Sequence, residues 1–469
     1  MARLALVAPA WALRETLVLV ADSGVLEIDH TISPADLPLN QAALALQRLA
    51  PDRPVTPRLV RAEPALRDLE RDGRAQLLAG EAQLREYTSQ AVRRDDITAY
   101  VGWAPERQVP QLSARLAEVG AALVPLPLPR GVEPPTAVRP GVARATFSPL
   151  VTTYATPPYV DVDPTVLAGL SYAVMFGAMF GDAGHGALLL LGAALLRLGR
   201  PRRFAALRPH WLLVAAAGAC ATAFGLAYGE FFGPTGAVPV VWLTPVEHPI
   251  HLLVAGAGLG AVLLAGAYVL GIVNRIREAG LVGALFVASG VAGALLFLAA
   301  GLGAAAWYVH LGWLAAVAVV VALLGLLLAF VGLLATAGRG AAGVVQASIE
   351  LLDIVIRLGA NVASFARLGA FGLTHAVVGW IVWDLSVGMW RRGPAGMVAA
   401  VVVFVIGNAL ALGLEALVAA VQALRLEYYE LFSRVFQTEG RPFRPWHVPT
   451  VTATERAGPA LNTPTSTVE

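Results

Sequence analysis

From Thr165 onward the chain is built of apolar segments that leave little room between them: 165–182, 184–198, 210–232, 250–273, 281–306, 310–336, 346–385 and 395–433. About 20 such residues cross the hydrocarbon core of a bilayer. A backbone inside lipid must satisfy its own hydrogen bonds, which restricts it to helices or closed barrels. Segments this long, rich in Ala, Leu, Val and Gly, read as helices. The expected fold is an α-helical polytopic membrane protein of about eight transmembrane helices, the last two long and tilted, with a small N-terminal α/β domain. The whole chain is 57 % hydrophobic and 14 % charged, well to the membrane side of globular usage.

The soluble-looking part is residues 1–124. "RETLVLVADSGVLEIDH" (14–30) reads as strand, Asp-Ser-Gly turn, strand. Residues 62–95 carry Leu66, Leu69, Leu77 and Leu84 among charges, a helical pattern weakened at Asp72-Gly73. "ITAYVGW" is strand-like, "ERQVPQLSARLAEVG" helix-like and "AALVPL" strand-like. Residues 125–164 hold ten prolines and read as an extended connector, not a helix. The membrane domain then spans 165–436, and 437–469 is read as a partly disordered tail. The N-terminus has no continuous apolar core and no signal peptide is read.

Several chemistries are excluded. The chain has no lysine, so a G-x-x-x-x-G-K-[ST] phosphate loop cannot exist in it. Cys220 is the single cysteine, which rules out a disulfide within the chain and, in apolar surroundings, argues against thiolate chemistry. With a net charge of +2 and no basic, aromatic-interleaved stripe, nucleic acid is not an expected partner. Neither a cofactor nor a metal is expected.

The segments 165–182 and 184–198 share the turn "GDAGHG" and form either one helix or a hairpin. Arginine in the loops decides. With residues 1–164 inside and a hairpin at 181–186, Arg197, Arg200, Arg202, Arg203, Arg208, Arg275, Arg277, Arg339, Arg434, Arg441 and Arg444 all fall inside. Only Arg391 and Arg392 then lie outside. Eight spans with both ends cytoplasmic is the expected topology.

Two late segments carry polar residues at helical spacing. Glu350, Asp353, Arg357, Asn361, Ser364 and Arg367 recur every three or four positions and share a face. His375 lies eight residues beyond Arg367, about 12 Å along a helix. In the last segment Asn408, Glu415 and Gln422 are seven apart and line one stripe, and Arg425 follows about 15 Å beyond Glu415. The helices run antiparallel, so Arg367 and Arg425 can share one depth, and His375 and Glu415 another nearer the outside. Asp353 and Glu350 fall on the cytoplasmic side. Ionisable residues at such depth cost roughly 2.5–3.5 kcal/mol each on insertion scales and mark ion pathways. Carboxylates and imidazole can pass protons; guanidinium does not deprotonate and serves as a fixed positive barrier. The mobile carboxylate it would hold ionised is not evident in this chain.

These stretches resemble one family, the membrane stator subunit (subunit a or I) of vacuolar-type and archaeal/bacterial A/V-type rotary ATPases. The resemblance is carried in order by "YVGWAPERQVPQL", "PPYVDVDPT", "MFGAMFGDAGHG", "GLAYGEFFG", "ELLDIVIRLGANVASFARLGAFGLTHA" and "LEALVAAVQALRLEYYELFSRVFQTEGRPFRPW". It implies a proton-translocating role with Arg367 as the essential arginine and Arg425 as the second. It implies His375 and Glu415 in an outer half-channel and Asp353 in a cytoplasmic one. Glu350, Gln422, Asn408 and Ser364 join the expected pathway as polar neighbours. The implied partners are a rotor ring of proteolipids with membrane carboxylates, peripheral-stalk and central-stalk cap subunits that leave ATP chemistry to other chains, and the lipid bilayer, expected to be a bacterial plasma membrane. The chain departs from the family in its short N-terminal part and in Gly369 and Phe371, where bulkier, differently ordered residues are common. An ion-coupled secondary transporter using Arg367, His375 and Glu415 is the alternative, weakened by the lack of a convincing repeat between 165–300 and 310–436. A membrane scaffold without conduction is disfavoured by the intact polar set.

Overall fold

A computed structural model describes residues 1–29, 39–50, 54–129, 131–137, 141–200, 202–287, 289–338, 340–435 and 439–451. Its internal contacts divide it into two compact units, Met1–Ala137 with the chain from Gly440 on, and Val138–Glu439.

The first unit is built on an antiparallel sheet. Strand β1 (Ala2–Pro9) buries Leu4, Leu6 and Ala8 and leaves alternate residues half-covered, the period of a strand with one face on a core. Helix α1 (Leu13–Ser23) precedes β2 (Glu27–Ile28); α2 (Gln41–Leu49), α3 (Leu66–Arg71) and α4 (Ala75–Ser89) lead to β3 (Val92–Arg94) and β4 (Ile97–Ala104). Helix α5 (Val109–Ala117) and β5 (Ala122–Pro125) complete it. The order is β2-β4-β1-β5 with β3 also on β4, and β1 and β4 run in register from Ala2↔Ala104 to Pro9↔Ile97. The expected helix at 62–95 is present, interrupted at Gly73 (φ +67°).

The strand reading of residues 14–30 needs correction. Residues 13–23 are helical and bury Leu13, Thr16, Leu17, Val20 and Ala21 on one face. Thr16, Val18 and Val20 favour strands intrinsically, but packing of an i, i+3, i+4 stripe overrides that preference. Gly24, at φ +59°, ends the helix in the left-handed cap. The tail also joins this unit. Trp446 and Val448 are buried in its core, the Trp446 ring lies 4.1 Å from that of Tyr87, and Arg441 pairs with Glu27 and Asp29. Thr450 donates from its amide (3.2 Å) and hydroxyl (2.8 Å) to Asp22. The expected disorder at the end of the tail, and Arg339, lie outside the described residues.

The second unit is helical. Helix α6 (Val142–Thr152) corrects the extended reading of 125–164. Phe147, Leu150 and Val151 bury there, and the helix continues past Pro149 to Thr152. The Phe147 ring fits the notch at Gly169, where a Cβ would come within 2.3 Å of it. Helices α7 (Thr165–Met179) and α8 (Ala183–Arg197) are two short apolar helices around the turn at 180–182. Then come α9 (Trp211–Tyr228), α10 (Pro249–Phe286, broken at Gly280), α11 (Val291–Val309), α12 (Gly312–Thr336), α13 (Ala341–Ser364), α14 (Ala366–Trp390) and α15 (Pro394–Val435). Among the described residues, five helices are long and apolar enough to cross a membrane, and wide apolar faces of α12 and α15 remain uncovered by protein. The chain is thus an α-helical polytopic membrane protein with a small N-terminal α/β domain.

Two details position the polar residues. The segment 346–385 is two helices with a turn at Phe365, whose fully buried ring sits in the notch at Gly260 of α10. Beyond it, Gly369 meets α10 backbone to backbone. A Cβ on Gly369 would lie 2.5 Å from the Leu252 carbonyl oxygen, and one on Gly256 2.7 Å from the Gly369 nitrogen. The small residue at 369 is therefore what lets α10 and α14 touch. The long helix α15 contains two π-helical stretches, Ala411–Glu415 and Glu427–Phe432, a form that recurs at functional sites.

Candidate functional site

Ionisable side chains gather at two levels of the helical unit. At the first, His375 of α14 pairs through Nδ1 with Glu415 of α15. His375 is 4 % exposed. Its ring lies 4.5 Å from Phe180 and 5.6 Å, edge on, from His185. Asp182, fully buried, caps α8 by accepting the His185 amide (2.8 Å) and also accepts the Gly233 amide (2.8 Å). His185 Nδ1 is 3.4 Å from Asp182 Oδ1, and His185 Nε2 is 3.3 Å from the Asn408 carbonyl oxygen. Glu230, also buried, lies within electrostatic reach of both Asp182 and Glu415.

At the second level, Glu430 is buried on α15. Arg367 and Arg425 lie within its electrostatic reach, while the Ser364 hydroxyl donates to the Ala360 carbonyl (3.0 Å). Arg367 is half-buried and its Nη1 is enclosed without a hydrogen-bond partner. Nearby on α15, Gln422 Oε1 is likewise enclosed and unpartnered, while Arg425 is exposed. Glu427 is buried and accepts the Ser171 hydroxyl of α7 at 2.8 and 2.9 Å. With its nitrogen donating to the Arg357 carbonyl (3.1 Å), the Asn361 amide accepts from Arg434 Nη2 (2.8 Å).

The structure thus pairs His375 with Glu415 and leaves Ser364, Arg367 and Arg425 in the neighbourhood of Glu430. It does not bring Asp353 or Glu350 to them. Asp353 pairs with Arg357 one turn away (2.6 Å), both side chains more than half exposed, and Glu350 accepts from Gln346 (3.0 Å). Asp353 stands fourteen residues before Arg367, about 21 Å of helix. Asn408 reaches the cluster through its carbonyl, its side chain being turned to the Phe404 carbonyl (2.9 Å).

Asp182, His185, Glu230, Glu427 and Glu430 were not singled out from the sequence. The signal existed: each is an ionisable residue in or beside an apolar segment. Asp182 and His185 were hidden in a turn, and the polar stripe of the last segment was followed only as far as Arg425. Glu430 is a fixed in-chain carboxylate near the arginines, which regular helical counting does not place because it lies in a π-helical stretch.

Residues 87–233 match the V-type ATPase 116kDa subunit family. The A-type ATP synthase subunit I of Halobacterium salinarum is 28 % identical over 376 residues, 64 % of this chain and 50 % of that protein. The subunit I of Pyrococcus horikoshii is 25 % identical over 386 residues, covering 79 % and 57 %. The V-type ATP synthase subunit I 2 of Treponema pallidum is 31 % identical over 210 residues, covering 38 % and 46 %. The chain spans about half the length of the relatives it matches. Over these stretches the chain is similar to subunits I of A-type and V-type ATP synthases.

Proposed function

We propose that this chain is the proton-translocating stator of a V/A-type rotary ATPase, forming two aqueous half-channels against a rotating proteolipid ring. The observation that carries the reading is Arg367, its Nη1 enclosed and without a hydrogen-bond partner, within electrostatic reach of the buried Glu430 in helices otherwise fit for lipid. A fixed guanidinium there stops protons crossing directly and holds an approaching rotor carboxylate ionised. His375 and Glu415, with Asp182, His185 and Glu230, line the outer half-channel. Asp353 and Glu350 face the cytoplasmic one, and Ser364, Gln422 and Asn408 supply polar lining.

In this reading the chain spans the membrane eight times, α13 and α14 forming one long crossing. Both ends lie in the cytoplasm of a bacterial cell, where the arginine-rich loops also fall. Peripheral-stalk and central-stalk cap subunits hold the chain, and partner subunits make or hydrolyse ATP. Arg367→Ala should abolish ATP-driven proton pumping in membrane vesicles while the complex still assembles; normal pumping by that variant refutes the assignment. Co-purification of a proteolipid ring and ATPase subunits in mild detergent is the expected companion result, and a chain that purifies alone and carries a solute would favour a secondary transporter.

A further inference from the structure

We infer that Asp182, His185 and His375 form a binding site for a divalent transition metal, zinc being the probe of choice. One ligand atom from each of the three lies within 4.8 Å of the others. Around a tetrahedral zinc, ligand atoms stand roughly 3.3 Å apart at bonds of about 2.0–2.1 Å, and the Asp182–His185 pair is already at 3.4 Å. Bringing the third atom in takes a side-chain shift of at most about 1.5 Å.

The second shell is arranged as metal-binding histidines require. Such a histidine places its other nitrogen on a carboxylate or a backbone carbonyl, which fixes the tautomer. Glu415 holds Nδ1 of His375, leaving Nε2 as its donor atom. The Asn408 carbonyl holds Nε2 of His185 (3.3 Å), leaving Nδ1. That Nδ1 is enclosed and has no hydrogen-bond partner, on a residue 2 % exposed. Asp182 is fixed by two backbone amides. Phe180 and Phe232 flank the rings, at 5.5 and 5.2 Å from His185, and keep the surroundings apolar.

The surroundings point the same way. Glu230 is within electrostatic reach of both Asp182 and Glu415, and the ion pairs of Asp182 and Glu415 are to histidines alone among the described residues. A cation held between the Asp182 carboxylate and the two imidazoles would sit in this acidic, buried setting. Two imidazoles, a carboxylate and an open fourth position suit zinc far better than calcium or magnesium. In the proposed outer half-channel such an ion would occupy His375 and stop proton passage there.

The full chain, purified in mild detergent and stripped with chelator, should take up one Zn²⁺ per molecule on equilibrium dialysis and show tetrahedral absorption with Co²⁺. His185→Gln and His375→Gln should each weaken binding at least a hundredfold, and Glu415→Gln, a second-shell change, about ten- to a hundredfold. His375→Cys keeps a donor atom and should retain Co²⁺ with a thiolate charge-transfer band, which separates lost ligation from misfolding. A wild-type chain that binds no Zn²⁺, or binding unchanged in His185→Gln but lost in His251→Gln on α10, overturns the site. Binding is read without turnover, so a failed pumping assay bears on the proposed function and leaves this inference standing.

Discussion

His375 and Glu415 are forty residues apart in sequence and share a hydrogen bond, tying the middle of α14 to the first π turn of α15. Among the described residues, neither partner is in a second ion pair. Their interaction is therefore the polar seam between the two helices, and each should depend on the other. In the proposed stator, Glu415→Gln should slow ATP-driven pumping about tenfold with assembly intact. A double-mutant cycle with His375→Gln, read as thermal stability in detergent, should give a coupling of roughly 0.5–3 kcal/mol. Additive effects would mean that the pair does not operate as a unit.

Close approach of α10 and α14 makes a second expectation. Gly369→Val places carbon against the Leu252 carbonyl, and overpacking of this kind costs about 1–3 kcal/mol or more. Gly258→Ala, two residues from Gly256 but with open space around it, should be neutral or stabilise the helix by up to about 1 kcal/mol. Thermal unfolding of the two variants, compared by fluorescence in detergent, checks both signs at once.

Trp446 anchors the tail in the core of the first unit and donates from Nε1 to Gln83 (3.2 Å). Trp446→Ala should cost roughly 3–5 kcal/mol of that unit's stability, the range for emptying a large buried aromatic site. Limited proteolysis should then release the tail at protease levels that leave the wild-type chain intact.

The same tail should respond to acid. Burial pushes the Asp22 carboxyl up, but hydrogen bonds from the Thr450 hydroxyl and amide and the nearby Arg115 outweigh it and leave the group below its ordinary 3.8. A depressed carboxyl favours the folded state above its unfolded value. The contribution is thus complete above about pH 4 and is lost as pH falls through the lowered value. Trp446 fluorescence followed from pH 6 downward should report loosening of the tail only at the acid end. Asp22→Asn should weaken the tail at pH 6 and flatten its pH dependence.

Much of the architecture could be read from residue order because lipid and water impose opposite demands. Alternation found β4, apolar length found the membrane helices, and the hairpin at "GDAGHG" followed from where the arginines fall. Local preference misled where packing decided: Val18 and Val20 look like strand residues yet belong to α1, and prolines concealed α6. The site was legible in part. Arg367, His375, Arg425 and Glu415 stand out as charges among apolar neighbours. Their partners did not, since Asp182 and His185 lie nearly two hundred residues before His375, and no spacing rule reaches across that distance. Glu430 was obscured differently, by a helix that is not uniformly wound.

That uneven winding has its own consequence. A π turn accommodates one residue more than the helix needs while the flanks keep their facing. Removing a residue from a regular stretch of α15 would swing everything beyond it by about 100°, turning Gln422, Arg425 and Glu430 away from their neighbours. Removing one from Ala411–Gly413 would instead restore an ordinary turn and leave both flanks aimed as before. The orientation of the distal half of α15 is thus stored in chain length as much as in side-chain identity, and the first wide turn is where that length can change at least cost.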